Sequence, residues 1–415
     1  MLTSNESSPR AGTKKLTVWT RGPTTRGGCL AGDTLLVHAD SGWLVKLRDF
    51  VARRQGSVLT MREASLLTPQ RPAAYLTHEP VPLQRLTTYS GRTITATTDQ
   101  AFLTRADGWK PLHALCPTDT VAVVTEYPHL FGTGNIDAAL VKLLAYLTAD
   151  GAPGDGAAPI FTDVDVRADF EAAVNAKEDE CVPIGEETDP PRLHVRGRAG
   201  ARSHVVGYLD LVGVRGIRAP ERAVPDFVFG LRQDRLRLYL NRLFTCDGTV
   251  ETSGRITYRT SSVRVARDVQ HLLARFGVGG MLRGVEREGN LEAVDLMITT
   301  KADVLRFIDE IGFLGDKATR AEAVRAALYH VRMIEPAPDR VGPILFDRVY
   351  MVESLDAAPV YDLAIEGTHN FVANDFVVRT SSWASIAATV PGDADLRAGG
   401  TASDRGTIDQ GGHAD

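Results

Sequence analysis

The sequence predicts two interleaved domains: an all-β domain that is divided by an inserted α/β module. Short β-branched or alternating runs, separated by Gly, Asp and Pro, extend from Cys29 to about Val124. Residues 136–150 then change to helical spacing, and helices alternate with strands to about residue 335. β-type runs return from about residue 342. Two β segments at the ends of a long insert predict one discontinuous domain whose interrupted ends lie close together.

The composition is that of an ordinary globular protein. Of the 415 residues, 43% are hydrophobic and 24% are charged. No apolar run approaches the ~20 residues of a membrane helix, and no apolar core follows the N-terminal basic residues, so we expect neither a membrane span nor a secretory signal. The four cysteines form no CxxC pair, which argues against a zinc site or a disulfide framework and predicts a cytoplasmic protein. The net charge of −5 does not indicate a nucleic-acid partner, although a local basic surface would suffice.

An internal repeat ends two apolar helical segments in Asp-Gly. The segments are LLAYLTADG at 143–151 and LNRLFTCDG at 240–248. Gly suits a helix end, whereas the Asp carboxylate meets the negative end of the helix dipole, which costs about 0.3–1 kcal/mol. Two such acids, Asp150 and Asp247, at matched positions indicate a shared compensating cation, and their oxygens suit Mg²⁺. The alternative is that Asp-Gly is simply a favourable turn.

The two segments resemble the motif helices of the LAGLIDADG, or DOD-type, homing endonucleases. The resemblance implies that the helices pack side by side beneath a DNA-binding saddle, that Asp150 and Asp247 are catalytic metal ligands, and that double-stranded DNA is the substrate of a monomer. Small residues, Ala145 and Ala149, permit close approach of the first helix. In the second helix, Arg242 must point its charge outward.

Two further features of the module bear on this resemblance. The segment VPDFVF at 224–229 resembles the block between the motifs, where the family often has a catalytic-site lysine, and Arg222 is the nearest basic residue. Arginines around the module are candidates for phosphate contacts, with a solvated basic face as the alternative. They are Arg192, Arg196, Arg198, Arg202, Arg215, Arg218, Arg255, Arg259 and Arg264.

The β segments carry a second resemblance, which begins at CLAGDTLL. This run resembles the first block of the Hint fold, which inteins share with hedgehog autoprocessing domains. The resemblance implies that the Cys29 thiol attacks the Gly28 carbonyl to give a thioester, and a thiol is both a good nucleophile and a good leaving group. In the next block, T-x-x-H, Thr97 is in place, but Gln100 stands where the family has a His. Gln forms hydrogen bonds but cannot exchange protons near neutral pH.

The C-terminal block, VYDLAIEGTHNFVANDFVV at 360–378, closely resembles the penultimate intein block. His369 is expected to assist C-terminal cleavage, with a His that only holds a turn as the alternative. The family ends in His-Asn followed by Cys, Ser or Thr, whereas this chain has Arg379, Thr380 and Ser381. Ser381 is a suitable downstream nucleophile. Thr380 lacks the side-chain amide nitrogen with which Asn releases the downstream segment.

These resemblances cover residues 29 to about 381 and predict a Hint domain, discontinuous and horseshoe-like, with an inserted LAGLIDADG domain. The predicted boundaries are a flexible flank at 1–28, Hint residues 29–130 and 339–380, the endonuclease at 131–338, and a disordered flank at 381–415. The flanks are the expected exteins, the partners in cis.

Three hypotheses about activity remain open. The first is a fully splicing intein. The second is a degenerate intein that retains at most N-terminal cleavage at Cys29, together with the endonuclease. The third is a DNA-binding remnant with neither chemistry.

Overall fold

The computed structural model describes residues 17–20, 28–62, 66–127, 130–150, 161–184, 192–214, 216–287, 289–330 and 339–380. The N-terminal β part consists of β1 Thr17–Thr20, β2 Leu30–Ala31, β3 Leu35–Val37, β4 Leu44–Lys46, α1 Leu47–Arg53, β5 Val58–Arg62, β6 Leu66–Gln70, β7 Ala74–Thr88, β8 Thr93–Ala96, β9 Ala101–Thr104, β10 Gly108–Pro111 and β11 Thr120–Val124.

The helical module and the returning β part follow in chain order. The module consists of α2 Ala138–Asp150, α3 Val164–Asn175, β12 Asp179–Ile184, β13 Arg192–Gly197, α4 His204–Leu211, α5 Gln233–Asp247, β14 Gly248–Val250, β15 Ile256–Thr260, α6 Val263–Ala274, β16 Met281–Arg287, β17 Asn290–Ile298, α7 Lys301–Glu310 and α8 Asp316–His330. The last strands are β18 Arg340–Val341, β19 Ile344–Ala364, β20 Asn370–Ala373 and β21 Phe376–Arg379.

The long strand β19 unites the two β parts in one sheet system. Its first residues pair antiparallel with β11, with Val124 opposite Ile344, and its remainder pairs with β7. The chain leaves the β domain just after Val124 and re-enters just before Ile344, so the two ends of the insert lie side by side. The predicted fold class is confirmed, with α1 as a short helix inside the segment that the sequence indicated as wholly β.

The N-terminal flank, expected to be flexible apart from a strand-like run at LTVW, contains a short strand. Thr17–Thr20 forms an edge strand that pairs parallel with residues 75–78 of β7. Its backbone groups gain hydrogen-bond partners from β7 of the N-terminal β part, so this segment needs no apolar core of its own.

The helical module is built from two similar halves. Gly134 and Leu231, which precede α2 and α5, form a parallel β-bridge. The module's main core brings α2 side chains such as Leu144 and Ala145 against α5 side chains such as Leu240. The two helices therefore start together and run in the same direction.

The loops of the two halves repeat the same backbone turns. Gly213 and Gly216 follow α4 with φ of +68° and +71°, and Gly312 and Gly315 follow α7 with φ of +64° and +65°. Each pair reverses the chain in the left-handed region that favours glycine. The repeat therefore includes these loops as well as the motif helices. In each half, the loop leads the chain back towards a motif helix.

A buried polar cluster joins the insert to the β domain. Asp375, in the turn between β20 and β21, accepts hydrogen bonds from the Tyr127 hydroxyl and from His271 Nδ1 of α6, the latter at 2.8 Å. Arg92 lies 3.6 Å from the same carboxylate. Arg275 donates to the carbonyls of Phe229 in the insert and Gly42 in the β domain. The position of the insert is therefore fixed by buried charges as well as by apolar contacts.

The protonation of this cluster follows from its burial. Burial alone would raise the pKa of Asp375, but the charge and hydrogen bond of His271, with Arg92, lower it to about 2. Burial lowers the pKa of His271 despite the Asp375 charge. The carboxylate is therefore ionised at neutral pH, and its partners must stay in place to compensate a buried charge.

We predict that Asp375→Ala lowers the free energy of unfolding by roughly 3–5 kcal/mol, because it removes the shared partner of a buried charge cluster. Urea unfolding of the full chain at neutral pH measures this. Glu322→Ala is the control, because its side chain is 57% exposed and pairs only with Arg325 on the same helix. Equal effects of the two substitutions would contradict a dominant role for the cluster.

Candidate functional site

The N-terminal junction residue Cys29 is held by Thr97 through two hydrogen bonds. The Cys29 N–H donates to Thr97 Oγ1 at 2.9 Å, and the Thr97 N–H donates to the Cys29 carbonyl at 2.9 Å. The first bond binds the nitrogen of the Gly28–Cys29 peptide bond, which is the predicted scissile bond. The sequence-predicted pair Cys29 and Thr97 is therefore brought together, and Thr97 orients the amide that would be broken.

The residue before Cys29 must be glycine. A Cβ on Gly28 would lie 1.9 Å from the Cα and 2.3 Å from the backbone nitrogen of Gln100, far inside van der Waals contact. The segment before the thiol therefore passes directly against the backbone of Gln100.

The Cys29 thiol is buried, with 1% of its surface exposed, and is protonated at neutral pH. Burial raises the pKa of Cys29 well above its ordinary value of 9.0, and the negative charge of Asp362 raises it further. Asp362 lies on β19 and is fully buried. Asp362 belongs to the C-terminal block at 360–378, and the structure adds it to the surroundings of the thiol.

Gln100 connects the N-terminal junction to the C-terminal one. Its side-chain Nε2 donates to the Arg379 carbonyl at 2.9 Å and to the Ala101 carbonyl at 3.1 Å. The Gln100 side chain is fully buried. A residue that stands in place of the family's histidine therefore lies where both predicted cleavage points meet, although it cannot act as a base.

The C-terminal residues divide into a buried and an exposed group. The Thr380 N–H donates to the His369 carbonyl at 3.0 Å, and Thr380 is 4% exposed. The His369 side chain is exposed, on a backbone with φ of +51°. Asn370 is buried and bonds both the N–H and the carbonyl of Met61. His369 thus has a clear role in the turn, while its role in cleavage stays a prediction. Ser381 lies outside the described residues.

The motif helices bring their acidic ends to one place. Asp150 follows Gly134 by sixteen residues, and Asp247 follows Leu231 by the same number, while Gly134 and Leu231 pair directly. Helices that start together and run parallel for equal lengths end together. The backbones of Asp150 and Asp247 therefore reach the same end of the pair, and the side chain of Asp150 is outside the described residues.

A basic side chain binds the C-terminal carbonyls of each motif helix. Lys317 Nζ donates to the carbonyls of Thr245 and Cys246 at 2.6 and 2.9 Å. Arg222 Nη1 donates to the carbonyl of Ala149 at 3.1 Å. Ala149 and Cys246 occupy the same position in the repeat, one residue before each Asp. These cations offset the negative helix ends, a compensation that the sequence assigned to a metal ion.

Lys317 is the site residue that the sequence analysis missed. It lies beside Asp247 at a cavity of about 250 Å³ that Cys246 and Asp163 also line. Burial lowers the pKa of Lys317, against the charges of Cys246 and Asp247, which raise it. The signal lay in the Gly-x-x-Gly loop that precedes it, which repeats the loop before Arg222. Arg222, named from the sequence, reaches the corresponding place in the other half.

Arg242 leaves the helix contact as expected, but its charge is largely buried. Its guanidinium forms two bonds to Asp169 of α3, at 2.8 and 3.0 Å, with only 12% of the side chain exposed. Lys142 and the Tyr146 hydroxyl bind the same carboxylate. Against the effect of burial, these donors lower the pKa of Asp169 to about 2. The prediction of an outward-pointing charge did not anticipate this pairing with Asp169.

Most of the arginines that the sequence proposed for phosphate contacts have acidic partners. The described pairs are Arg196–Glu180, Arg202–Asp210, Arg218–Glu221, Arg255–Glu251, Arg259–Asp295 and Arg264–Asp268. Arg198 donates to the Asn175 side chain. Arg215 and the side chain of Arg192 lie outside the described residues. Paired surface charges of this kind supply little net positive potential, which favours the solvated-face interpretation for these positions.

The proposed metal ligands are Asp150 and Asp247, and the side chain of Asp150 lies outside the described residues. Among the described side chains, no group of three or more His, Cys, Asp or Glu residues could hold a metal ion. The two acids at the helix ends provide hard oxygen donors, which fit Mg²⁺ better than a transition metal. Within the part of the chain that the structure describes, no helix is long and apolar enough to cross a membrane.

The chain is similar to a known domain family and to several replicative helicases. Residues 234–312 match the family described as "LAGLIDADG-like domain". The chain is 27% identical to a replicative DNA helicase DnaB of Rhodothermus marinus, covering 85% of this chain and 46% of that protein. It is 25% identical to the DnaB of Synechocystis sp., covering 85% and 49%. The chain thus spans about half the length of the curated relatives it matches.

Among solved structures, the chain is similar to a mini-intein and to a homing endonuclease. The Ssp DnaB mini-intein variant M86 has a TM-score of 0.33 at 12% identity, covering 86% of this chain and 97% of that one. I-DmoI in complex with DNA and Mn has a TM-score of 0.30 at 12% identity, covering 43% and 98%. These low scores carry no argument of their own.

The fold and the junction geometry define a Hint domain interrupted by a module with paired acidic helices. Residues 234–312 contain a LAGLIDADG-like domain, and the architecture around it is similar to that of an intein with an inserted homing endonuclease.

We predict that alkylation of Cys29 by iodoacetamide becomes about tenfold faster per pH unit from pH 7 to 9 without a plateau, because the thiolate is the reacting form and the pKa of Cys29 is raised. Peptide mapping by mass spectrometry measures this. The exposed Cys116 in the same molecule controls for loss of reagent. A plateau for Cys29 below pH 9 would show that the protein activates the thiol.

Proposed function

We propose that this chain is an intein, a self-cleaving element whose Hint domain forms a thioester at Cys29 and whose insert cleaves double-stranded DNA. The observation that carries the first activity is the pair of hydrogen bonds between Cys29 and Thr97 around the Gly28–Cys29 bond. The coincidence of the two acidic helix ends, each with a basic partner, carries the second.

The thioester step needs only groups at the N-terminal junction. The Cys29 sulfur adds to the Gly28 carbonyl carbon, the thiol proton passes to the amide nitrogen, and the carbon–nitrogen bond breaks. Thr97 Oγ1 holds the departing nitrogen through its N–H. An external thiol then exchanges with the thioester and releases residues 1–28. The raised pKa of Cys29 and the absence of a base at Gln100 make this step slow.

Splicing of the two flanks is the less favoured alternative. Release of the downstream segment in the family uses an asparagine side-chain nitrogen, and Thr380 has none. Ser381 is the proposed downstream nucleophile if branch formation occurs, and His369 is the proposed assistant. A ligated product of the two flanks is the outcome that would support this alternative.

The proposed DNA cleavage uses Asp150 and Asp247 as the ligands of Mg²⁺, which would stabilise charge on the attacking and leaving oxygens of the phosphodiester. Lys317 and Arg222 supply positive charge at the same helix ends, where they attract a phosphate and favour ionised carboxylates. One chain contains both halves, so a monomer suffices. The alternative is a remnant that binds DNA without cleaving it. Because many of the arginines are paired with acids, we expect such binding to be weak.

We predict that dithiothreitol releases residues 1–28 from the full chain slowly, and that Cys29→Ala abolishes the release. Gln100→His should accelerate it by about 10²–10⁴-fold, because it restores a group for general acid–base catalysis. Intact-mass spectrometry over time measures both fragments. Cys181→Ala is the matched control, since Cys181 lies in the insert. Release that persists in Cys29→Ala would exclude the thioester route.

We predict that the purified chain with Mg²⁺ cuts both strands of a duplex that carries the uninterrupted host allele. Asp150→Asn and Asp247→Asn should each abolish cutting, and Lys317→Met should reduce it at least tenfold, because each removes charge from the shared helix ends. Gel analysis of end-labelled duplex measures cutting, and Glu322→Gln is the surface control. Binding of the duplex with no cutting under any condition would support the remnant instead.

A further inference from the structure

Thr380 occupies an unusual position for a hydroxyl. It is 4% exposed at the end of β21, and its Oγ1 has no hydrogen-bond partner among the described residues. A buried hydroxyl without a partner costs free energy that a methyl group of the same size would not. The hydroxyl therefore contributes no hydrogen bond to the described fold.

The peptide bond before Thr380 is held at both of its polar atoms. The Arg379 carbonyl accepts from Gln100 Nε2 at 2.9 Å, and the Thr380 N–H donates to the His369 carbonyl at 3.0 Å. Gln100 is itself fixed, because its Nε2 also binds the Ala101 carbonyl and its backbone N–H binds the Thr97 carbonyl. A fixed donor on a carbonyl oxygen is the arrangement that stabilises a developing oxyanion.

We propose that Thr380 is the nucleophile of a second self-cleavage, at the Arg379–Thr380 bond. This cleavage does not pass through the Cys29 thioester and breaks a different bond from the one in the proposed function. It uses the two residues, Gln100 and Thr380, that depart from the family's splicing chemistry. Thr380 lacks the asparagine amide that would cleave the bond after it, but its hydroxyl can attack the carbonyl of the bond before it.

The step balances as an acyl shift from nitrogen to oxygen followed by hydrolysis. Thr380 Oγ1 adds to the Arg379 carbonyl carbon, and Gln100 Nε2 donates to the oxyanion. The carbon–nitrogen bond then breaks, and the nitrogen takes up the hydroxyl proton while its other N–H still faces the His369 carbonyl. Water hydrolyses the resulting ester. The products are a carboxylate on Arg379 and a free amino group on Thr380.

A purely structural role for the same contacts is the alternative that the test must separate. β21 pairs with β9 at Val378 and Phe102, so the Gln100 side chain also supplies a hydrogen bond where that ladder ends. A structural role requires the Gln100 amide but gives no part to the Thr380 hydroxyl. Removal of the hydroxyl alone therefore distinguishes the two.

The test is intact-mass spectrometry of the full chain incubated at mildly alkaline pH for several days. The expected result is release of residues 380–415 with a new N-terminal threonine, accelerated by hydroxylamine, which leaves a hydroxamate on Arg379. Thr380→Val should abolish release while the melting temperature is unchanged or higher, and Thr380→Ser should retain it. Gln100→Met, which keeps the shape but removes the donor, should slow release by about 10²–10³-fold.

Two controls make the outcome decisive. Thr34→Val removes another buried hydroxyl that has no partner among the described residues, and it should leave release unchanged. Cys29→Ala should also leave it unchanged, because the thioester is not involved. Three outcomes would overturn the proposal: a folded chain that stays intact with hydroxylamine, release that persists in Thr380→Val, or release that is lost in Cys29→Ala. The first two would not contradict the proposed thioester at Cys29.

Discussion

The buried carboxylate of Asp375 is the interaction on which both halves of this molecule depend. It accepts hydrogen bonds from Tyr127 and from His271, which belong to the segment before the insert and to the insert itself. The backbone carbonyl of Asp375 also accepts from the Val124 N–H at 2.7 Å, and β21 begins at the next residue. The strand that carries the C-terminal junction, the entry to the insert and the insert helix α6 therefore share one charged residue.

This arrangement makes the inserted module a structural neighbour of the Hint domain rather than an appendage on a linker. The side-by-side ends at Val124 and Ile344 would allow an insert to hang freely. Instead, Arg275 binds carbonyls on both sides of the boundary, and Gln270 binds the Ser90 carbonyl of the β domain. If either domain shifted, these buried charged groups would lose their partners. Because an unpaired buried charge is strongly destabilising, the contacts hold the two domains in place.

Features that depend on chain order and spacing could be predicted from the sequence. Contacts between residues that are distant in the sequence could not. The repeat of Asp150 and Asp247 was visible because both copies end the same pattern, and the parallel bridge before the helices agrees with it. Lys317 was missed because it lies seventy residues after Asp247, and the glycine loop before it is recognised as a repeat only when the two halves are compared. Arg242 was expected to point outward, since Asp169 is distant in sequence and nothing in the pattern marks it as a partner.

The junction shows the same limit in its chemistry. The thiol and its threonine partner were predicted from a short block, and the hydrogen bonds between Cys29 and Thr97 agree with that prediction. The sequence identified Gln100 and Thr380 only as departures from a pattern, which says what they cannot do. Their contacts with the Arg379 bond became visible only once β9 and β21 were paired.

The basic partners of the motif helices change how the endonuclease site is understood. An ionised aspartate at a helix C-terminus is disfavoured by the dipole, and the sequence alone pointed to a metal ion as the remedy. Lys317 and Arg222 bind the carbonyls at those ends directly, so the protein offsets the dipole with its own charges. The basic side chains therefore offset part of the electrostatic cost of placing an acid at each helix end. A metal ion is not needed for this compensation, and its proposed role is in the DNA-cleavage step.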